Sequence, residues 1–581
     1  MAIIFPSVHG AEAPLLDDTV DGSVDFEGRP VHRSSSGVWR SAAFIIAVEV
    51  TERSAFHGVG TNLITYLTGP LGQSTATAAD NVNAWTGTAA LLPLLGAFVV
   101  DAYLGRYHTI IVASLVYILG LGMVIMSAIL TSLGSSGCQN ANIVATRSSP
   151  QVLAFGADQF DGQHIKERMI AKSSFFNWWY FGISIGSLLS ILIIVYIEDY
   201  ISWALGFGIV FILMAVGLVI FLLGRKTYRY GVKENDKNPF ARSIGMVFVA
   251  AVRNWHFTTS SVIVTNEGEV HQTPLQHSSD QFRFLNKALH APDCSGEARK
   301  QCSIKDVEDA KALLRLIPIW ATCLVYAIVF AQASTFFTKQ GVTMDRTISH
   351  GFKIPAASLQ FFTSIAVTLF IPFYDSVFVP TARALTRKPS GITILQRIGT
   401  GIFLSAISMV VAALVEMKRL KTAQEYRLVD KPNTTVPMNV RWLVPQYLLF
   451  DVADVFTVVG MQEFFNDQVQ HELRSMRLSF YLSVIGVGSI LSSLIVSTID
   501  KLSSADGGDS WFSSNIKRAH LHYFYWLLGG LSMVGLTAFV HFSRSFVYDK
   551  GWQLHLLIRF LHAFSWQCQI NCKYQQEEYL N

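Results

Sequence analysis

A chain of 581 residues that is 51% apolar and 15% charged, with a mean hydropathy of +0.37, is too apolar for a soluble protein of its length. A formal net charge of +4 is too small to suggest a nucleic-acid partner. Six cysteines in that length make no disulfide framework, and Cys568 and Cys572, with no matching second pair, make no metal site.

Residues 1–39 are polar and read as a cytosolic N-terminal segment without a cleavable signal peptide, so the first apolar segment is expected to serve as signal and to be retained. Apolar stretches of about 20 residues, enough to cross about 30 Å of hydrocarbon, then recur. They lie at 40–66, 84–104, 107–132, 174–196, 202–223, 312–337, 354–376, 391–417, 440–465, 477–499 and 521–542, eleven in all. A polar interval at 224–310, rich in Lys, Arg and Asp, separates an N-terminal helix bundle (40–223) from a C-terminal one (311–543), and residues 544–581 form a tail. Six plus six spans around a central loop is the plan of the major facilitator fold, an all-α integral membrane architecture of two pseudo-symmetric halves. Eleven spans are one short of it.

The first span contains Glu-Val-Thr-Glu-Arg at 49–53. Each ionisable group at the centre of a bilayer helix costs roughly 2.5–3.5 kcal/mol on insertion scales. Glu49, Glu52 and Arg53 fall at i, i+3 and i+4, so all three project from one helix face. A polar path through the interior of a bundle, with the charges neutralising one another, accounts for them. It points to transport driven by protons.

Basic clusters follow alternate spans: Arg106; Lys166, Arg168 and Lys172; Arg225, Lys226 and Arg229; Arg383, Arg387 and Lys388; Arg474 and Arg477. Segments 69–82 and 133–142 are nearly free of Lys and Arg. The positive-inside rule then places both termini and the central loop in the cytosol, and the sequon Asn433-Thr434-Thr435 on the opposite side. One return crossing is missing. Between the third span and the cluster at 166–172 only Asn140–Phe160 is available, and its Arg147, Pro150 and Asp158 make an independently inserted helix improbable.

From Gly37 to about residue 548 the sequence resembles the plant nitrate/peptide transporters of the proton-dependent oligopeptide transporter family, within the major facilitator superfamily. The resemblance rests on Glu49-x-x-Glu52-Arg53, NLITYLTGPLG at 62–72 and GAFVVDAYLGRYHT at 96–109. It continues with FGADQFD at 155–161, SFFNWWYFGISIGSL at 174–188 and AQASTFFTKQGVTMDR at 331–346. VPQYLLFDVADVFTVVGMQEFFNDQV at 444–469 and RAHLHYFYWLL at 518–528 complete it in the same order. The resemblance implies twelve helices in two six-helix halves, with alternating access around a central site. It also locates the gap. Relatives carry an apolar fourth helix before FGADQFD, and here Ser148-Ser149-Pro150-Gln151 runs straight into Val152-Leu153-Ala154-Phe155. An altered splice product or an imperfect gene model accounts for this; a natural eleven-helix variant would leave the first bundle open.

In relatives a lysine on that fourth helix faces the Glu-x-x-Glu-Arg cluster and takes part in proton coupling. The aligned place here holds Gln151, which implies that Glu49 and Glu52 share a single cation, Arg53, and that proton binding is less tightly linked to conformational change. The resemblance gives Asp101 and Arg106 a gating role on the cytosolic loop between spans two and three. His57 stands where an aromatic residue is usual and is read as a packed helix histidine. Glu463 is the expected substrate-site carboxylate, which relatives use in substrate binding or the inner gate, and Gln332 is expected to line the cavity. Asp454 stands at a usual acidic position, while Asp451 is read as a surface or outer-cavity feature. Phe330 occupies the place of a nitrate-binding histidine, where an apolar ring cannot donate a hydrogen bond. Asn466 and Gln470 replace a tyrosine and a proline at the inner gate.

In the central loop, FRFLNKALHAP at 282–292 precedes IKDVEDAKALLRLIP at 304–318, which is expected to begin an interfacial helix bridging the halves; residues 225–280 read about equally as solvated linker. The tail at 552–566 has an apolar face broken by His555, Arg559 and His562, as in a helix lying on the membrane. No metal-ligand pair, nucleophile motif or phosphate loop argues for an enzyme, and no cofactor is expected. The expected function is symport of protons with a small solute such as nitrate, a di- or tripeptide or another small organic anion. A transport-impaired variant acting as a sensor is the alternative. The partners are the solute, protons and the lipid bilayer of a plasma or vacuolar membrane; a homo-oligomer is compatible with this, and nucleic acid is not a partner.

Overall fold

The structure, a computed structural model, describes residues 19–32, 36–99, 105–133, 172–231, 240–255, 282–289, 304–349, 351–362, 392–468, 474–505 and 510–546, with isolated residues at 152, 155, 159, 160, 365, 377, 380, 381 and 384. Among the described residues, eight helices are long and apolar enough to cross a membrane. Two further long helices, α1 (Val38–Gly60) and α3 (Thr75–Val99), fall outside that set because they carry polar residues in their interior. Between them lies the short α2 (Leu63–Thr68).

The first half continues with α4 (Gly105–Ser132) and α5 (Lys172–Leu189). A π turn at Ser190–Ile194 joins α5 to α6 (Val195–Tyr200), and α7 (Trp203–Leu223) follows. The second half holds α9 (Ile304–Phe330), α10 (Phe336–Val342), α11 (Ile394–Glu425), α12 (Val444–Gln468), α13 (Arg474–Ser504) and α14 (Leu521–Ser545). Helix α11 starts at a capping box, in which Thr393 Oγ1 accepts from the Gln396 amide at 3.2 Å and Gln396 Oε1 accepts from the Thr393 amide at 3.0 Å. Within the halves, α1 packs on α5 and α7, and α11 on α12 and α14; between them, α3 packs along α13.

The second span begins at Thr75 rather than at residue 84. Its first turns are small and polar, so an apolar-run reading passes over them. Yet Ala76, Ala78, Ala79, Val82 and Asn83 are buried there, and small side chains let helices approach closely. The fourth-span segment at 140–160 lies outside the described residues except for Val152, Phe155, Gln159 and Phe160, which are buried. Most of the expected span at 354–376 and the tail from 547 are likewise outside them.

On the side assigned to the cytosol, strands Thr19–Val24, Pro30–His32 and Tyr230–Gly231 form an antiparallel sheet with the first in the middle. Arg229, 1% exposed, ties this region together. Its guanidinium donates to the carbonyls of Ser36 (2.9 Å) and Gln159 (3.1 Å). Gly37, at φ +73°, lies directly against it: a Cβ there would be 2.2 Å from Arg229 Nε. Within 225–280, residues Phe240–Arg253 form an amphipathic helix, α8, rather than linker. Its Val247 and Ala251 pack with Leu285 and Ala288, and with Val307 and Ala310 of α9. The expected interfacial helix at 304–318 is continuous with the span that follows, passing through Pro318 without a break.

Candidate functional site

Glu49, Glu52 and Arg53 are buried together on α1, at 0%, 1% and 8% exposure. Arg53 Nε donates to Glu49 Oε1 at 3.1 Å and stands 3.6 Å from Glu52 Oε2. One guanidinium therefore serves two carboxylates. Among the described residues neither oxygen of Glu52 has a hydrogen-bond donor, so Arg53 holds it by charge alone. Tyr481, from α13 of the other half, lies within electrostatic reach of Arg53.

Tyr481 also lines a cavity of about 250 Å³ at the seam between the halves. The first half contributes Phe56, His57 and Thr61 from α1 and its end, Trp85 and Thr86 from α3, and Ile191 from the π turn. The second contributes Phe330 and Ser334 at the end of α9, Gln360, and Phe450, Asp454 and Val458 on α12. Two walls are aromatic. Phe56 stacks on Trp85 with centroids 5.0 Å apart, and Phe330 meets Phe450 at 6.0 Å. The carboxylate on the wall is Asp454, whose Oδ1 accepts the Tyr326 hydroxyl at 2.5 Å. Such a site, largely apolar with a few placed polar groups, suits a small organic solute.

Away from the cytosol the seam is closed. Lys339 Nζ donates to Thr68 Oγ1 at 2.9 Å, and Gln360 Nε2 to the Thr61 carbonyl at 3.1 Å. Ser358 Oγ donates to the Ile191 carbonyl at 3.0 Å, and Phe352 stacks on Tyr196.

The family model for PTR2, the POT family, matches residues 107–512. The chain belongs to the POT family. Protein NRT1/ PTR FAMILY 5.10 of Arabidopsis thaliana is 54% identical over 565 residues, which cover 93% of this chain and 98% of that protein. Protein NRT1/ PTR FAMILY 5.14 of the same plant is 53% identical over 557 residues, 93% and 99% of the two chains. Among solved structures, an auto-inhibited POT family peptide transporter is similar at a TM-score of 0.65 and 20% identity, covering 88% of this chain and 98% of that one. A POT family transporter in complex with 5-aminolevulinic acid is similar at a TM-score of 0.58 and 14% identity, covering 88% and 97%. At those identities the likeness is one of fold. The motifs therefore led to the right family, and the chain is a multi-pass integral membrane transporter.

Within this POT fold several expected site residues stand elsewhere than the sequence suggested. Gln332 is fully buried beside the cavity and outside its lining; its Nε2 donates to the Ile328 carbonyl (2.8 Å) and to Ser492 Oγ (3.0 Å). Ser492 also accepts from Asn83 Nδ2 at 3.2 Å, so Gln332 belongs to a polar bridge between the halves. Glu463 has a side chain 47% exposed and faces Arg397 at 3.4 Å, away from the cavity. Asp454, nine residues earlier, holds the place on the wall. Asp451 is fully buried rather than at a surface or outer cavity, because α12 packs on α11 and α13 along that face. His57 lines the cavity rather than a packed helix interface, and Phe330 is on its wall. Arg106 is part-buried at the start of α4, and its expected gating partner Asp101 lies outside the described residues, as does Gln470. Asn466 is exposed on the last turn of α12. Sequence reading missed Tyr326, Trp85 and Tyr481, whose only local signal is a polar-tipped aromatic in an apolar run.

Proposed function

We infer that the chain is a proton-coupled symporter that carries a small solute by alternating access, with Glu49, Glu52 and Arg53 as the proton site and the seam cavity as the solute site. One observation carries this reading: a buried pair of carboxylates shares one guanidinium, and Tyr481, which lines the cavity, lies within electrostatic reach of that guanidinium. Charge in such a site is costly unless paired, so a proton arriving on a carboxylate changes what Arg53 must neutralise. Tyr481 sits where that change is felt by the other half. Protons entering down a membrane potential bring about 2.3 kcal/mol per charge per 100 mV.

The solute is a small organic one, peptide-like or anionic, or nitrate. Asp454 and the aromatic walls favour an organic solute, and Phe330 offers no hydrogen bond to nitrate. The similar transporters include a peptide transporter and one in complex with 5-aminolevulinic acid, in line with this class. The membrane is the plasma or the vacuolar membrane. Uptake into proteoliposomes with and without an inward proton gradient tests the reading, with wild type and Glu52→Gln side by side. The gradient is expected to raise wild-type uptake at least tenfold and to leave Glu52→Gln unaffected. Uptake indifferent to the gradient in wild type would sink it.

A further inference from the structure

At the outer end of the first half, two consecutive acidic residues close α6. Glu198 is 1% exposed, and the Asp199 side chain is 12% exposed. Asn62, at the end of α1, donates its amide hydrogens to both, reaching Glu198 Oε2 at 3.1 Å and Asp199 Oδ1 at 2.9 Å. Both N–H bonds of Asn62 are then engaged. Glu198 Oε1 has no donor among the described residues. The place is shaped for this side chain, since a Cβ on Gly206 of α7 would lie 2.4 Å from Glu198 Cγ.

Among the described residues one cation faces the pair. Arg346, from the turn after α10 in the second half, brings NH1 to 3.9 Å from Asp199 Oδ2. Of the other elements packed on α6, α7, the π turn and the 3₁₀ turn Ala357–Gln360 carry no ionisable residue, and the strand Phe352–Lys353, whose Phe352 stacks on Tyr196, adds Lys353, which is exposed to water. On α6 itself the other titratable groups are the phenols of Tyr196 and Tyr200. Asp345, next to Arg346, accepts the Thr347 amide at 3.1 Å, and that backbone bond holds its carboxyl below the usual carboxylate value. It is therefore an anion committed to its own turn. Among the described residues, two carboxylates and one guanidinium leave one negative charge in excess at this place, and a buried charge without a partner costs far more than a buried neutral carboxyl.

We propose that Glu198 is a second proton-binding site, which takes up a proton from the external water when the two halves close on the outer side. The proton forms an O–H bond at Glu198 Oε1 as Arg346, Phe352 and Ser358 of the second half cover the end of α6. It returns to water when the seam opens and hydrates the carboxylate. The closed outer side then binds one more proton than the open one, so acid on the outside favours closure. The proposal rests on the alternating-access reading, but not on Glu49, Glu52 or Arg53.

The test measures the outer seam directly. Spin labels on Ile201→Cys and Ile348→Cys, exposed residues on either side of it, report the separation of the halves by double electron–electron resonance. The sample is the full-length protein in liposomes, with the six native cysteines replaced and equal pH on both faces. In wild type the ratio of short to long distances is expected to rise by up to tenfold per pH unit between pH 8 and 5, as one linked proton requires. Glu198→Gln is expected to give a ratio that no longer changes with pH. Asp199→Asn balances the charge and is expected to move the wild-type midpoint about one unit lower; it decides the matter if Glu198→Gln does not fold. A flat wild-type ratio, or variants that both follow the wild-type curve, would overturn the proposal. Loss of gradient-driven uptake with this pH response intact would strike the symport reading alone.

Discussion

Gly87 of α3 and Gly486 of α13 lie back to back across the seam. A Cβ on Gly87 would stand 2.9 Å from the Gly486 carbonyl, and one on Gly486 would stand 3.0 Å from that of Gly87. The two halves therefore meet backbone to backbone here, with the Ser492 bridge and the Ser497–Asp80 hydrogen bond further along the same helices. Gly87→Leu must push the helices apart, at a cost of about 1–3 kcal/mol for overpacking. Uptake is expected to fall more than tenfold while the protein still reaches the membrane. Thermal unfolding and uptake on one preparation check this.

Asp454 and Glu463 separate by position. Asp454 is on the cavity wall with Tyr326, whereas Glu463 faces Arg397 outside it. Asp454→Asn is expected to change the KM for a transported solute at least tenfold, equivalent to about 1.4 kcal/mol of binding. Glu463→Gln is expected to leave KM within twofold. The reverse order would assign the solute to the inner end of α12.

Arg53 stands against two buried carboxylates, so Arg53→Ala removes a guanidinium from both. Removing one partner from such a cluster costs about 3–5 kcal/mol. The expected outcome is a large drop in melting temperature in detergent, partly restored by adding Glu49→Gln and Glu52→Gln. A variant as stable as wild type would show that the cluster is held by something other than Arg53.

A second buried pair has the opposite character. Arg419 donates to Glu416 through Nε (2.8 Å) and NH2 (2.5 Å), and also to Thr343 Oγ1 and the Ile516 carbonyl. Gln340 Nε2 adds a donor to Glu416 at 2.9 Å. With both carboxylate oxygens satisfied, this pair holds the second half together. Arg419→Met is expected to destabilise by about 3–5 kcal/mol and to leave the pH dependence of residual uptake unchanged, as read from unfolding curves and uptake across pH.

Much of this was legible in the residues. Glu49, Glu52 and Arg53 announce a polar interior because charge in an apolar helix is expensive wherever it stands. The family followed from motifs in order along the chain. The start of α3 was not legible, because Thr75 to Asn83 buries small side chains against α13 and makes no apolar run. Helix α8 was legible in principle, since Val247 and Ala251 keep a helical spacing, but its surroundings are as polar as a linker. Gln332 and Asp451 were misplaced for one reason. Helical spacing says which residues share a face, and not what that face meets.

By itself the amino-acid order determined that the chain is a helical membrane transporter with a buried ionic cluster on its first span. Those properties depend on local free energies, hydropathy and the cost of charge in hydrocarbon, and they need no knowledge of neighbours. The tertiary structure alone decided that Asp454 rather than Glu463 stands on the cavity wall and that Tyr481 of the other half is on that wall within electrostatic reach of Arg53. It also decided that Glu198 and Asp199 face a single guanidinium from the other half. These are distances between residues far apart in the chain, and they are settled by how one helix packs on another.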